Sequence, residues 1–165
     1  MRLRHAAAGA LLMLGSAFTQ AGEPAHFTGT WSVAWCDKAR PDQACGGFTA
    51  HLLQQGSRLC GAHSGATPNL SRLDEGGDLS IVGTVVADTA VLTIRSGRND
   101  SVHLVTARQH GGTLDWQLID TVLRSDTDTE VIPTREKLTK AATVTPAQGF
   151  DGMQKACLAH WQTGR

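Results

Sequence analysis

The residues able to do chemistry in this chain are scattered, and their spacing excludes most reactions. His51, His63, His103, His110 and His160 can each ligate a metal. None stands at H-x-H or H-x-x-x-H spacing from another, so a zinc site has to be assembled across strands. His51 and His103 fall in mid-strand and read as polar residues on an outer face. Gly61-Ala62-His63-Ser64-Gly65 sets a histidine beside a serine. It misses the G-x-S-x-G register of a nucleophile elbow, and neighbours on an extended chain point to opposite faces, so His63 does not serve Ser64. Asp126, Asp128 and Glu130 alternate as calcium ligands do. An EF-hand loop opening at Asp126 needs Gly and Glu where Val131 and Lys137 stand. Asp115, Asp120 and Glu136 offer carboxylates for glycoside chemistry, but Asp115 alternates with Trp116 and faces solvent. The cysteines contain no C-x-x-C pair, and the absence of tyrosine removes any tyrosyl acid. The expectation is a protein without metal, cofactor or catalytic set: a binder rather than an enzyme.

The N-terminus is a processing signal. Arg2, Arg4 and His5 precede an apolar run from Ala6 to Phe18, followed by small residues around Ala21. Residues 1–21 therefore read as a secretory signal peptide, and 22–165 as one exported domain, periplasmic or secreted. A membrane span needs roughly 20 apolar residues, which no other stretch supplies. Without Arg2 and Arg4 the remaining 13 basic and 15 acidic residues give a net charge of −2. That balance argues against nucleic-acid or anionic-membrane partners, which favour basic surfaces. Sequence leaves the oligomeric state open.

What must position these groups is a set of strands. Asp78–Asp120 reads as successive Val-, Ile-, Leu- and Thr-rich runs divided by Asp, Asn and Gly turns, an antiparallel meander. Phe27–Trp35, Phe48–Gln55 and Arg58–His63 are strands before it, and Glu130–Leu138 is the last. Inward faces are assigned to Trp31, Val33 and Trp35; Phe48, Ala50 and Leu52; Ala90, Leu92 and Ile94; Val102, Leu104 and Thr106; and Leu114, Trp116 and Leu118. Leu79–Val86 is apolar on both faces, and Ser64–Gly77 is a long loop. About eight strands with short turns predict an up-and-down antiparallel barrel, since closure removes exposed edges. Met153, Ala156, Cys157, His160 and Trp161 share one helical stripe, predicting a helix over about 150–162 that lies on the barrel.

Cys36, Cys45, Cys60 and Cys157 make an even set in an exported chain, hence two disulfides. Three pairings are open. The preferred one pinches a loop with Cys36–Cys45 and ties the C-terminal helix down with Cys60–Cys157.

Gly29-Thr30-Trp31 at the start of the first strand resembles the G-x-W motif that opens lipocalin and avidin-like barrels, the calycin group. The resemblance implies that Trp31 packs across the closed end against an Arg from near the last strand, for which Arg135 is the match. A late helix with a disulfide to the barrel is also similar to the lipocalin layout. The implied function is binding a small apolar or amphipathic ligand inside the barrel.

Two functions follow as expectations. In the first, a lipocalin-like cavity is lined by Val33, Leu52, Ile81, Val85, Leu92, Leu104 and Trp116. In the second, the barrel is filled and its loops bind a periplasmic protein, as enzyme inhibitors and toxin-immunity proteins do. The contacts are then Trp35, Arg40, Asp42, Asp126 and Asp128.

Overall fold

The computed structural model describes residues 25–141 and 150–163. The segment expected to be a signal peptide and most of the linker before the helix lie outside the described residues. Alternating side chains build nine antiparallel strands: β1 (Gly29–Trp35), β2 (Gly46–Gln55), β3 (Arg58–Ala66), β4 (Leu73–Glu75), β5 (Ile81–Val86), β6 (Thr89–Arg95), β7 (Val102–His110), β8 (Thr113–Leu123) and β9 (Arg135–Lys140). The sheet order β2-β1-β9-β8-β7-β6-β5-β3, with β2 also paired to β3, closes an eight-stranded up-and-down barrel. β4 is an extra strand on the end of β3, Ser64–Ala66 facing Leu73–Glu75. It lies in the segment expected to be a loop, which also holds a 3-10 turn at Pro68–Leu70.

The two ends of the barrel differ. At one end, tight two-residue turns join β2–β3, β5–β6 and β7–β8. Their first residues, Gly56, Ala87 and Gly111, all have φ near +60°, the region that glycine enters without a Cβ penalty. Phe27 and Trp31 fill this end: Trp31 Nε1 donates to the Phe27 carbonyl at 2.8 Å. The cation over the Trp31 ring is Lys140 Nζ, 5.2 Å from its centroid, rather than Arg135, whose side chain is exposed at the far end of β9. The last strand runs Arg135–Lys140, not Glu130–Leu138, which is why a lysine at its end, and not the arginine at its start, reaches Trp31. The other end carries the long connections, residues 36–45, 67–80 and 124–134.

The inward faces of β1, β2, β6 and β8 follow the alternation read from sequence. β7 does not. Its inward residues are His103, Val105 and Ala107, all fully buried, while Val102, Leu104 and Thr106 point outward. Leu104 is therefore no part of the barrel interior, and His103 is no outer-face residue. The doubly apolar β5 has a direct explanation: Ile81 joins the barrel core, and Val82 on the outer face packs with Leu53 and Ala62 beneath Met153, Cys157 and Trp161 of the helix.

That helix, α1 (Phe150–Thr163), is held by the Cys60–Cys157 disulfide, and Cys36–Cys45 closes the first loop. Arg58 adds a second tether, lying over the Trp161 ring and donating to its carbonyl at 3.1 Å. No helix among the described residues is long and apolar enough to cross a membrane.

Candidate functional site at the loop end of the barrel

The expected cavity-lining residues, Leu104 apart, do converge. Leu52, Ile81, Leu92 and Trp116 belong to one core, with Val33 and Val85 packed against it. Leu52 and Ile81 are 0 % exposed, and Leu92 and Trp116 are 1 %. A side chain that leaves no surface to water borders no space that water can enter, so these residues fill the barrel. Phe48 adds ring contacts to Trp116 at 5.1 Å and to His63 at 5.9 Å.

Above this core the barrel becomes polar, around one buried carboxylate. Asp74, on β4, accepts hydrogen bonds from Ser96 Oγ (2.7 Å), Gly97 N (2.9 Å) and Val131 N (3.0 Å), and faces His63 Nε2 at 3.3 Å. Burial alone pushes its carboxyl pKa up. The hydrogen bonds from His63, Val131 and Ser96 outweigh that and hold it far below the usual carboxylate range. An ionised Asp74 fixes the His63 tautomer: Nε2 carries the proton, and Nδ1 accepts from the Ser80 hydroxyl at 2.9 Å. Ser80 Oγ in turn accepts from the His63 backbone N–H. Gly76 permits this approach, since a Cβ there would fall 2.2 Å from Ser80 Oγ.

Serine, imidazole and carboxylate thus stand in relay order, with Ser80 in place of the adjacent Ser64, which points out to solvent. Chemically, the relay can polarise the Ser80 hydroxyl. Ser80 is only 7 % exposed, so its oxygen is spent on holding β3 to the start of β5. Nothing local in the sequence signals this set, because its members come from β3, β4, the β4–β5 connection and the β6–β7 turn.

The network carries a strap. Residues 124–134 cross the barrel mouth between β8 and β9 without regular structure. Val131 hangs on Asp74, and Trp116 Nε1 donates to the Pro133 carbonyl at 3.1 Å. Asn99 Nδ2 donates to the Asp128 carbonyl and to Glu130 Oε2, and Arg98 pairs with Asp128 at 2.6 Å. His103 lies below, with Nδ1 at 3.0 Å from Thr121 Oγ1. Its Nε2 is buried without a hydrogen-bond partner among the described residues, 3.6 Å from Glu130 Oε1. Burial lowers the His103 pKa, and the Glu130 and Asp74 carboxylates oppose the shift.

The second loop at this end is exposed and cross-linked. The Cys36–Cys45 disulfide pins it, and the Asp37 carboxylate caps Ala39 N and pairs with Arg40 at 2.7 Å. The Arg40 side chain beside Asp37 holds that carboxyl below its ordinary pKa. Asn69 N donates to the Ala44 carbonyl, tying the loop to the 3-10 turn. Arg40 and Asp42 are exposed, as is Asp126; Asp128 is exposed but engaged by Arg98. Trp35 is half-buried, its Nε1 donating to Glu136 Oε1 at 2.9 Å.

The remaining candidates stay apart. His51 faces outward against Thr30 Oγ1 at 2.9 Å, on the opposite side of the wall from His103. Asp115 pairs with Lys137 on the outer surface, and Asp120 is exposed. Among the described residues no cluster of His, Cys, Asp and Glu suits a metal. Compared with family models, curated proteins and solved structures, the chain matches none. The closed eight-stranded barrel is consistent with a calycin-like architecture.

Proposed function

We propose that this chain is an exported binding protein that engages a protein partner through the loop end of its barrel, in the manner of an enzyme inhibitor or a toxin-immunity protein. One observation carries the reading. The disulfide-pinned loop around Arg40 and Asp42 and the acidic strap around Asp126 and Asp128 stand at the same end, both held in place, above an interior that is filled. Loops fixed before contact lose little entropy on binding, which is how small inhibitors reach high affinity. Export is supported by the basic–apolar–small pattern of residues 1–21 and by two disulfides, which persist in oxidising compartments.

The test is native mass spectrometry of the mature chain recovered from its own host, beside a variant with Arg40→Ala and Asp42→Ala. A protein that accompanies the wild type and is lost from the variant supports the reading. A protein retained by both, or an adduct of a few hundred daltons instead, overturns it.

A second reading keeps the small-ligand function by letting the strap open. The buried, unpartnered His103 Nε2 beneath Glu130 favours it, since such a group is costly until a hydrogen bond reaches it. The adduct in the same experiment is its signature.

A further inference from the structure

β8 outruns its neighbour. β9 begins at Arg135, opposite Gln117, and the last bond across this side of β8 runs from Leu118 N to the Thr134 carbonyl. From Ile119 to Leu123, β8 is paired to β7 alone, and no described strand lies on its other side. Such an edge is a template for another strand. Three large exposed apolar side chains also lie here: Ile119 is 50 % exposed, Val122 64 % and Leu123 53 %. Opposite β7, the partners run Val105–Leu118, Leu104–Asp120, His103–Thr121 and Val102–Leu123. Ile119 and Val122 are thus extra residues, placed in two bulges. Bulges re-aim side chains, and here both point to solvent, beside the outward-facing Val102 and Leu104.

The charges at this edge select an occupant. Asp120 and Arg124 form no ion pair among the described residues, and four extended residues separate them by about 13 Å, beyond reach within one chain. An antiparallel copy of the same segment, related by a two-fold axis at Val122, sets Asp120 of each chain opposite Arg124 of the other. It also sets Val122 against Val122 of the other chain, with Leu123 opposite Thr121 and Ile119 opposite Ser125 on either side. A two-fold interface must be self-complementary in this way.

We propose that the β8 overhang, Ile119–Arg124, is a homodimer interface in which a second copy of this chain adds antiparallel to the free edge. The overhang runs into the strap at Arg124, so the dimer borders the loop end. It is read by self-association of the purified chain, whereas the proposed function is read by a second protein lost with Arg40→Ala and Asp42→Ala, so the two failures are distinguishable.

The experiment is sedimentation equilibrium of the mature, disulfide-intact protein over about 1 μM to 1 mM, the range of weak to moderate association. Wild type, Asp120→Arg, Arg124→Asp and an equimolar mixture of the two variants are compared. Each swap alone sets like charges together at both contacts, and the mixture restores opposite charges at both. The expected result is a dimer for the wild type, at least a tenfold weaker dimer for each swap, and recovery in the mixture. Because both residues are exposed, the swaps leave the fold intact, which near-UV circular dichroism checks. A wild type that stays monomeric overturns the proposal. So does a dimer indifferent to the swaps, or swaps whose mixture fails to recover; association only with a different protein assigns the edge to that protein instead.

Discussion

Val131 donates its backbone N–H to the carboxylate of Asp74 at 3.0 Å, so the strap over the barrel mouth hangs on a side chain 57 residues earlier in the chain. The same carboxylate holds the β6–β7 turn through Ser96 and Gly97 and orients His63. One buried anion therefore fixes three connections at once.

Replacing that anion is expected to be expensive. Asp74→Ala leaves several buried donors unpaired and should cost about 3–5 kcal/mol, the scale for breaking a buried charged network. Urea denaturation at pH 7 measures it, and limited proteolysis should then cut between residues 124 and 134. A variant within 1 kcal/mol of wild type, by the same scale, would show that the network is not what holds the strap.

The acid limb follows from the same group. Its folded pKa is lowered, so the unfolded chain binds its proton first, below about pH 4. The stabilisation is fully present above that pH and is lost progressively as pH falls toward the depressed folded value. Denaturation midpoints from pH 6 to pH 2 should slope downward in the wild type and much less in Asp74→Asn.

His103 predicts a separate transition at milder pH. Burial depresses its folded pKa, so an open or unfolded state takes up a proton below about 6.5 while the closed state resists. Stability of the strap should fall as pH drops from 7 toward 5. The protection factor of the Val131 amide, its exchange rate corrected for the intrinsic rate at each pH, should fall from pH 7 to pH 5 in the wild type and stay level in His103→Gln. His51, also lowered by burial, lies on the outer face and remains in both proteins, so the comparison isolates His103.

Ala87 is the exception among the three tight turns. It holds φ +56° where Gly56 and Gly111 stand in the others, and a Cβ in that region costs about 1–2 kcal/mol. Ala87→Gly should raise stability by about 0.5–1 kcal/mol after the entropy of the freer unfolded chain is deducted. Thermal unfolding reads this directly; a lower midpoint would contradict it.

Removing the Cys60–Cys157 bridge, by changing both residues to alanine, should cost about 2–5 kcal/mol, because it joins residues 97 apart in sequence. Trp161 is buried with Met153 against Leu53, Ala62 and Val82. Its fluorescence should shift to the red as the helix loosens, while far-UV strand signal persists.

Most of the strand plan was legible because large apolar residues alternate cleanly, as in Ala90, Leu92 and Ile94. β7 misled for a physical reason. Val102, Leu104 and Thr106 look more apolar than His103, Val105 and Ala107, and burying a histidine needs partners that alternation does not reveal. The one it has is Thr121, from β8, with the Glu130 carboxylate of the strap 3.6 Å from its other nitrogen. The relay of Ser80, His63 and Asp74 was hidden likewise, since β4 is too short to register as a strand. The loops around Arg40 and Asp126 were visible as loops; strand alternation sets them at one end, and barrel closure brings them round one mouth.

Closure itself rests on a short seam. The ladder between β1 and β9 pairs only Trp31–Lys140 and Ser32–Thr139, continued by one bond from Ala141 N to the Thr30 carbonyl, whereas β7 and β8 are paired along their length. Joining ends more than a hundred residues apart must await the meander between them, which makes the seam the slow, late step of folding. In the native protein so short a ladder is expected to be among the first places to open, which amide exchange reads. The barrel is thus a sheet zipped shut along its shortest ladder, and that line lies one strand away from β2, at the border of the wall the helix clamps.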